Sequence, residues 1–161
     1  MATFIIFGAK YLFLIVLAVA IGAFWTNRDQ LRKSYIVTAL IATVIAIVLT
    51  KLAGAIYFDP RPFTHGVIAL IAHGPDNGFP SDHVVLSATA AAVTFRFTRI
   101  YGIPLLLLAA LVGMCRVAAG VHSPVDAIAG MIIGIVAAWS GVFISTRWEL
   151  RNEAWSSNER K

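Results

Sequence analysis

Apolar residues in this chain fall into five long blocks: 4–25, 35–58, 83–97, 101–119 and 124–146. Charge inside them is sparse. Lys10 interrupts the first, Lys51 the second, Arg116 sits near the end of the fourth and Asp126 near the start of the fifth. A bilayer core of about 30 Å needs about 20 mostly apolar residues per spanning helix. The pattern therefore predicts an all-α polytopic membrane bundle of about five transmembrane helices, the third one short. Between the second and third blocks lies 59–82, polar and rich in Pro, Gly, His and Asp. It is the longest irregular stretch, and long ordered loops are usually functional. The polar segment 149–161 reads as a frayed tail, so the expected division is a membrane domain at 1–148 and a tail at 149–161.

Composition agrees with this pattern. Hydrophobic residues make up 59% and charged residues 13%, with mean hydropathy +0.81. Soluble domains run about 45–50% apolar and about 25% charged, so a disordered chain, a collagen-like chain and an ordinary water-soluble enzyme are excluded. The formal net charge is +5, but the basic residues are spread between apolar runs without an aromatic-laced patch. Nucleic acid is not an expected partner; the bilayer is. One cysteine, Cys115, allows neither an internal disulfide nor a cysteine zinc cluster. Ala18-Val19-Ala20 resembles a signal cleavage site. No basic region precedes it and the apolar run continues through Trp25, so the first block is expected to stay as a helix.

Basic residues gather in alternate connections: Arg28, Arg32 and Lys33, then Arg96 and Arg99, then Arg147, Arg151, Arg160 and Lys161. With five spans these lie on one side, which the positive-inside rule makes cytoplasmic. The opposite side then carries Arg61, His65, His73, Asp76, Ser81, His83 and His122.

Three clusters there can carry chemistry. In Asp59-Pro60-Arg61-Pro62-Phe63 two prolines restrict the backbone around Arg61. A fixed guanidinium suits phosphate; an arginine snorkelling to headgroups is the equal alternative. In Gly78-Phe79-Pro80-Ser81-Asp82-His83, Ser81 reads as an N-cap with a helix starting near Asp82. Such a start is an anion site with His83 beside it, or simply a capped helix with an interfacial histidine. The third cluster is Arg116, His122 and Asp126. Ser123-Pro124-Val125-Asp126 matches a capping box with proline at the first helical position. The spacing of four also lets Asp126 reach one nitrogen of His122 and leave the other free to attack. Both readings are compatible.

No H-x-x-x-H or H-E-x-x-H spacing occurs, so neither metal nor cofactor is expected. Lys10 and Lys51 read as buried toward other helices or snorkelling. Gly130 and Gly134 are a helix-packing signal, and Trp25, Tyr57, Phe58, Tyr101 and Trp148 read as interface anchors.

Taken in order, these clusters resemble the type 2 phosphatidic acid phosphatase superfamily of lipid phosphatases. That family carries Lys-x6-Arg-Pro, Pro-Ser-Gly-His and Ser-Arg-x5-His-x3-Asp. The counterparts here are Arg61-Pro62, Pro80-Ser81-Asp82-His83 and Cys115-Arg116-x5-His122-x3-Asp126. Three positions depart: Gly54 stands where the family lysine falls, with Lys51 one turn earlier; Cys115 replaces the serine; Asp82 replaces the glycine. The Pro-Ser-Asp-His variant, with 58–63 and 73–80, is similar to bacterial undecaprenyl-diphosphatases of the bacitracin-resistance type.

The resemblance implies a metal-free phosphohistidine route. His122 would attack, Asp126 would orient it, and His83 would serve as acid and then base. Arg61, Arg116, Lys51 and the amides near Ser81 would bind phosphate, with Asp82 tuning His83 or substrate choice. It further implies a polyprenyl diphosphate substrate and a bacterial plasma membrane location with the site facing outward. Another lipid phosphate, such as phosphatidylglycerol phosphate or phosphatidic acid, and a non-enzymatic transport or assembly subunit are the alternatives.

Overall fold

The computed structural model describes residues 1–26 and 29–158. It contains five α-helices: α1 (Ala2–Thr26), α2 (Asp29–Ile56), α3 (Asp82–Phe97), α4 (Arg99–Ala118) and α5 (Pro124–Asn158), with a short 3-10 helix at Pro62–His65. All five expected helices are present. Arg28, Arg160 and Lys161 of the charge argument lie outside the described residues.

Among the described residues four helices are long and apolar enough to cross a membrane: α1, α2, α4 and α5. α3 is different. Its 16 residues span about 24 Å, less than a bilayer core. It packs against each of the other four helices. Val84, Val85, Ala88, Ala91, Ala92 and Val93 of α3 are all buried, so its apolar composition serves the bundle interior.

The interior is built from small side chains while large ones face outward. Ala9, Ala42, Ala88, Ala91, Ala109 and Ala137 are fully buried, whereas Leu107, Ile132, Trp139 and Phe143 are exposed. In lipid, helices associate through close backbone approach rather than hydrophobic expulsion. The Gly130 and Gly134 signal has this basis. A Cβ on Gly134 would lie 2.6 Å from Ala88 Cβ, and one on Gly130 would lie 3.0 Å from Val84 Cβ, both on α3. Polar ties add to this: Tyr35 donates to the Ala20 carbonyl (3.0 Å), and the hydroxyls of Thr38 and Ser145 meet at 2.7 Å. Trp25, Tyr57, Phe58, Tyr101 and Trp148 are exposed, as anchors require.

α5 runs through Asn158 where a frayed tail was expected from 149 onward. Arg, Trp, Glu and Leu at 147–151 are compatible with helix, and no Gly or Pro interrupts them. The side chain of Ser34 on α2 bonds to Glu149, tying this extension back to the bundle.

The C-terminal ends of α2 and α4 and the N-terminal ends of α3 and α5 meet at one end of the bundle. The loop between α2 and α3 covers that end. Arg32, Lys33, Arg96, Arg99 and Arg147 lie toward the other end, along α2, α3, α4 and α5.

Candidate active site

The covering loop is held by one amide. Asn77 Oδ1 accepts from the backbone N–H of Asp59 and of Phe79, both at 3.0 Å. Asn77 Nδ2 donates to the carbonyls of Gly54 and Tyr57, both at 3.0 Å. This uses the two donors and two acceptor positions of the amide. It also satisfies carbonyls that the end of α2 would leave orphaned. Gly78 N–H donates to the Asp59 carbonyl (2.9 Å), closing the turn.

This loop aims Arg61 inward. Arg61 is 5% exposed. Its Nε pairs with Asp76 Oδ1 at 2.5 Å, and its Nη1 donates to the Val121 carbonyl at 2.8 Å. From α4, Arg116, 3% exposed, donates through Nη1 to the Ala9 carbonyl of α1 (3.2 Å). Both guanidinium groups converge on one atom: His122 Nε2 lies 3.0 Å from Arg116 Nη2 and 3.3 Å from Arg61 Nη1.

This contact assigns the tautomer. A guanidinium only donates, so Nε2 carries a lone pair and Nδ1 carries the hydrogen. Nδ1 faces Asp126 Oδ2 at 3.2 Å. Asp126 also completes the capping box: Ser123 N–H donates to Asp126 Oδ2 (2.8 Å), and Asp126 N–H donates to Ser123 Oγ (3.2 Å). Capping and orientation are thus served by the same carboxylate. The Ser123 hydroxyl donates onward to Asp59 Oδ2 at 2.6 Å, joining the loop to the start of α5.

His122 opens onto a cavity of about 350 Å³. Lys51, Arg61, Asp82, His83, Arg116 and His122 line it. Asp126 stands behind His122, 1% exposed. His83 packs its ring edge-on against Phe13 of α1, with centroids 4.5 Å apart. His73 and Asp76 of the loop also line the cavity, the His73 ring centroid 6.3 Å from that of His122. His65 is exposed beside Thr64 and does not line it.

One expectation needs correcting. Ser81 occupies the N-cap position of α3, but its hydroxyl makes no capping bond. The side chain is fully buried and its Oγ has no partner among the described residues. The Ser81 N–H is taken by the Asp126 carbonyl at 3.2 Å. Val84 and Val85 N–H both donate to the Ser81 carbonyl, so the first-turn amides able to meet an anion are those of Asp82 and His83.

Charge in the cavity follows from burial. Burial lowers the His122 imidazole below its ordinary 6.5, with Arg116 and Arg61 acting in the same direction and Asp126 opposing. Burial also lowers His73, again with Arg61 and Arg116. The Arg61 hydrogen bond holds Asp76 below the usual carboxylate value.

The family departures have structural correlates. A Cβ on Gly54 would lie 3.1 Å from the Phe79 carbonyl, so a side chain there would press on the closed loop. Lys51 instead reaches the cavity from one turn earlier. Cys115 is buried, with Sγ only 2.4 Å from where a Cβ on Gly8 would stand, so it packs on α1. Sequence reasoning gave Ser123 its capping role but left Asp59, His73, Asp76 and Asn77 without roles in the site. Only the Asn-Gly turn signal pointed at Asn77.

The sequence profile of the PAP2 superfamily matches residues 33–151. The chain is 35% identical over 134 residues to the bacitracin transport permease protein BcrC of Bacillus licheniformis, covering 82% of this chain and 66% of that protein. It is 33% identical over 125 residues to the undecaprenyl-diphosphatase BcrC of Bacillus subtilis, covering 76% of this chain and 64% of that protein. The chain thus spans slightly less than two thirds of the length of these relatives. The crystal structure of a transmembrane PAP2-type phosphatidylglycerolphosphate phosphatase from Bacillus subtilis shares the fold, with TM-score 0.56 and 19% identity over 93% of this chain and 75% of that one.

Proposed function

The chain belongs to the PAP2 superfamily, and from that premise we propose that this multi-pass membrane protein hydrolyses undecaprenyl diphosphate to undecaprenyl phosphate and phosphate. The observation that carries the reading is His122, with Nε2 unprotonated between two guanidinium groups and Nδ1 on a buried carboxylate.

The terminal phosphate enters between Arg61 and Arg116, whose N–H groups transfer from Nε2 to the phosphoryl oxygens. His122 Nε2 attacks phosphorus. The N–P bond forms as the bond from phosphorus to the bridging oxygen breaks, and His83 gives that oxygen a proton. Asp126 holds the Nδ1 hydrogen of the ring and balances its developing charge. His83, now a base, takes a proton from water, which attacks the phosphohistidine and frees phosphate and His122. Positioning and charge stabilisation carry most such transfers.

A lipid substrate is supported by the shape of the site. The polar cavity shares Thr50, Lys51 and Asp82 with an apolar groove of about 230 Å³ between α2 and α3. That groove shares Thr43, Leu86 and Thr89 with a further apolar space of about 480 Å³. A polyprenyl chain lying there leaves its diphosphate at His122. The undecaprenyl-diphosphatase relative supports this lipid class. The transport reading suggested by another relative's name leaves the His122–Asp126 pair without a use. The basic residues at the far end support a cytoplasmic location for that end and an outward-facing site.

Phosphate release from undecaprenyl diphosphate in detergent with excess EDTA tests the reading. Release by wild type and loss in His122→Ala is the expected result. Release abolished by EDTA contradicts the route, and no release from folded wild type contradicts the substrate.

A further inference from the structure

Lys51 occupies a boundary. It lines both the polar cavity and the apolar groove, as do Thr50 on the same helix and Asp82 on α3. Its height also matters. α2 ends at the site, so residue 51 lies about 4.5 Å deeper along the helix axis than position 54. At the family's lysine position a Cβ would crowd the Phe79 carbonyl at 3.1 Å. Lys51 thus lines the cavity on the side it shares with the apolar groove, whereas Arg61 and Arg116 converge on His122 from the other elements. Thr50 Oγ1 is buried at the same boundary and has no hydrogen-bond partner among the described residues. A donor and a cation therefore stand between the reacting phosphate and the tail groove.

We propose that Lys51 and Thr50 form a second phosphate subsite, which takes the lipid-side phosphate of a diphosphate while Arg61 and Arg116 hold the phosphate attacked by His122. This rests on the function proposed above and deepens it. Lys51 is then a specificity-determining residue. It neutralises the phosphate that departs with the lipid when the bridging P–O bond breaks. A monophosphate ester has no group to place there. Asp82, on the facing helix, repels that phosphate once the bridging bond no longer ties it to the terminal phosphate, and favours its release.

Binding of inorganic diphosphate and of orthophosphate, measured by calorimetry on the detergent-solubilised protein, reads this directly. Wild type is expected to bind diphosphate more tightly. Lys51→Gln is expected to weaken diphosphate about tenfold, the scale of one charge-assisted hydrogen bond, and orthophosphate far less. Lys51→Arg is expected to retain most of the preference. An equal loss for both anions in Lys51→Gln would make Lys51 a ligand of the terminal phosphate and overturn the proposal. Equal wild-type affinity for both anions would overturn it as well. Neither outcome depends on turnover, so failure of the lipid-phosphatase reading shows separately in the wild-type release assay.

Discussion

Asp126 Oδ2 lies 3.2 Å from His122 Nδ1 and 2.8 Å from the N–H of Ser123, so one carboxylate oxygen both orients a ring and caps a helix. Asp126→Asn places an amide where a carboxylate accepts from both groups. It is expected to lower kcat by at least about 10²-fold, the low end for acid–base contributions, with a smaller change in KM. Steady-state phosphate release from undecaprenyl diphosphate checks this. A variant within a factor of a few of wild type would remove Asp126 from the mechanism.

The pH dependence has a defined sign. Attack needs neutral His122, and burial lowers its pKa below 6.5. The His122 requirement is met above that lowered pKa and is lost as pH falls through it. The acid limb of kcat/KM, which reports the free enzyme, is expected below pH 6.5. Asp126 raises the His122 pKa, so Asp126→Asn is expected to move the limb lower still while reducing the rate. A limb above 6.5, or one that moves upward in this variant, contradicts the assignment.

Gly78 fills a place that admits no side chain. A Cβ there would lie 2.9 Å from Asp126 Oδ2 and 3.2 Å from the Asp59 carbonyl. Gly78→Ala is expected to displace the carboxylate and to destabilise the fold by about 1–3 kcal/mol, the usual overpacking cost. Thermal unfolding in detergent and kcat should fall together.

Asp76 is exposed, with its side chain 66% accessible, yet it holds the buried Arg61 through Nε. Exposed ion pairs contribute about 0.2–1 kcal/mol. Asp76→Asn is expected to raise KM by up to about fivefold and leave the pH limb of His122 nearly in place. A fall in kcat with KM unchanged would show that Asp76 acts beyond holding Arg61.

Much of this architecture was legible because lipid writes long apolar blocks, and each block holds a helix, with α5 running on past its block to Asn158. The central role of α3 was not legible: its sequence resembles a short span, and only packing shows it enclosed by the others. The His122–Asp126 contact was readable from a spacing of four at a capped helix start. Arg61 and Arg116 were readable as candidates, but their convergence on a single nitrogen joins residues far apart in the chain, which periodicity does not encode. Ser81 illustrates the limit of local reading. Its position is that of an N-cap, but its hydroxyl is buried without making the capping bond. The Asn77 side chain organises the loop by bonding backbone groups of other residues, and Asp59 by accepting from Ser123 far along the chain, which apart from the Asn-Gly turn signal no local pattern announces.

The central claim is that phosphorus becomes bonded to His122. Wild type and His83→Ala, mixed with undecaprenyl diphosphate labelled in the terminal phosphate, quenched at alkaline pH and digested, can be examined for label by peptide mass spectrometry. The account predicts an acid-labile phosphoryl group on His122 that, once formed, persists longer in His83→Ala, which lacks the base that activates water. Turnover of substrate by wild type with no label on His122 in either protein would contradict it.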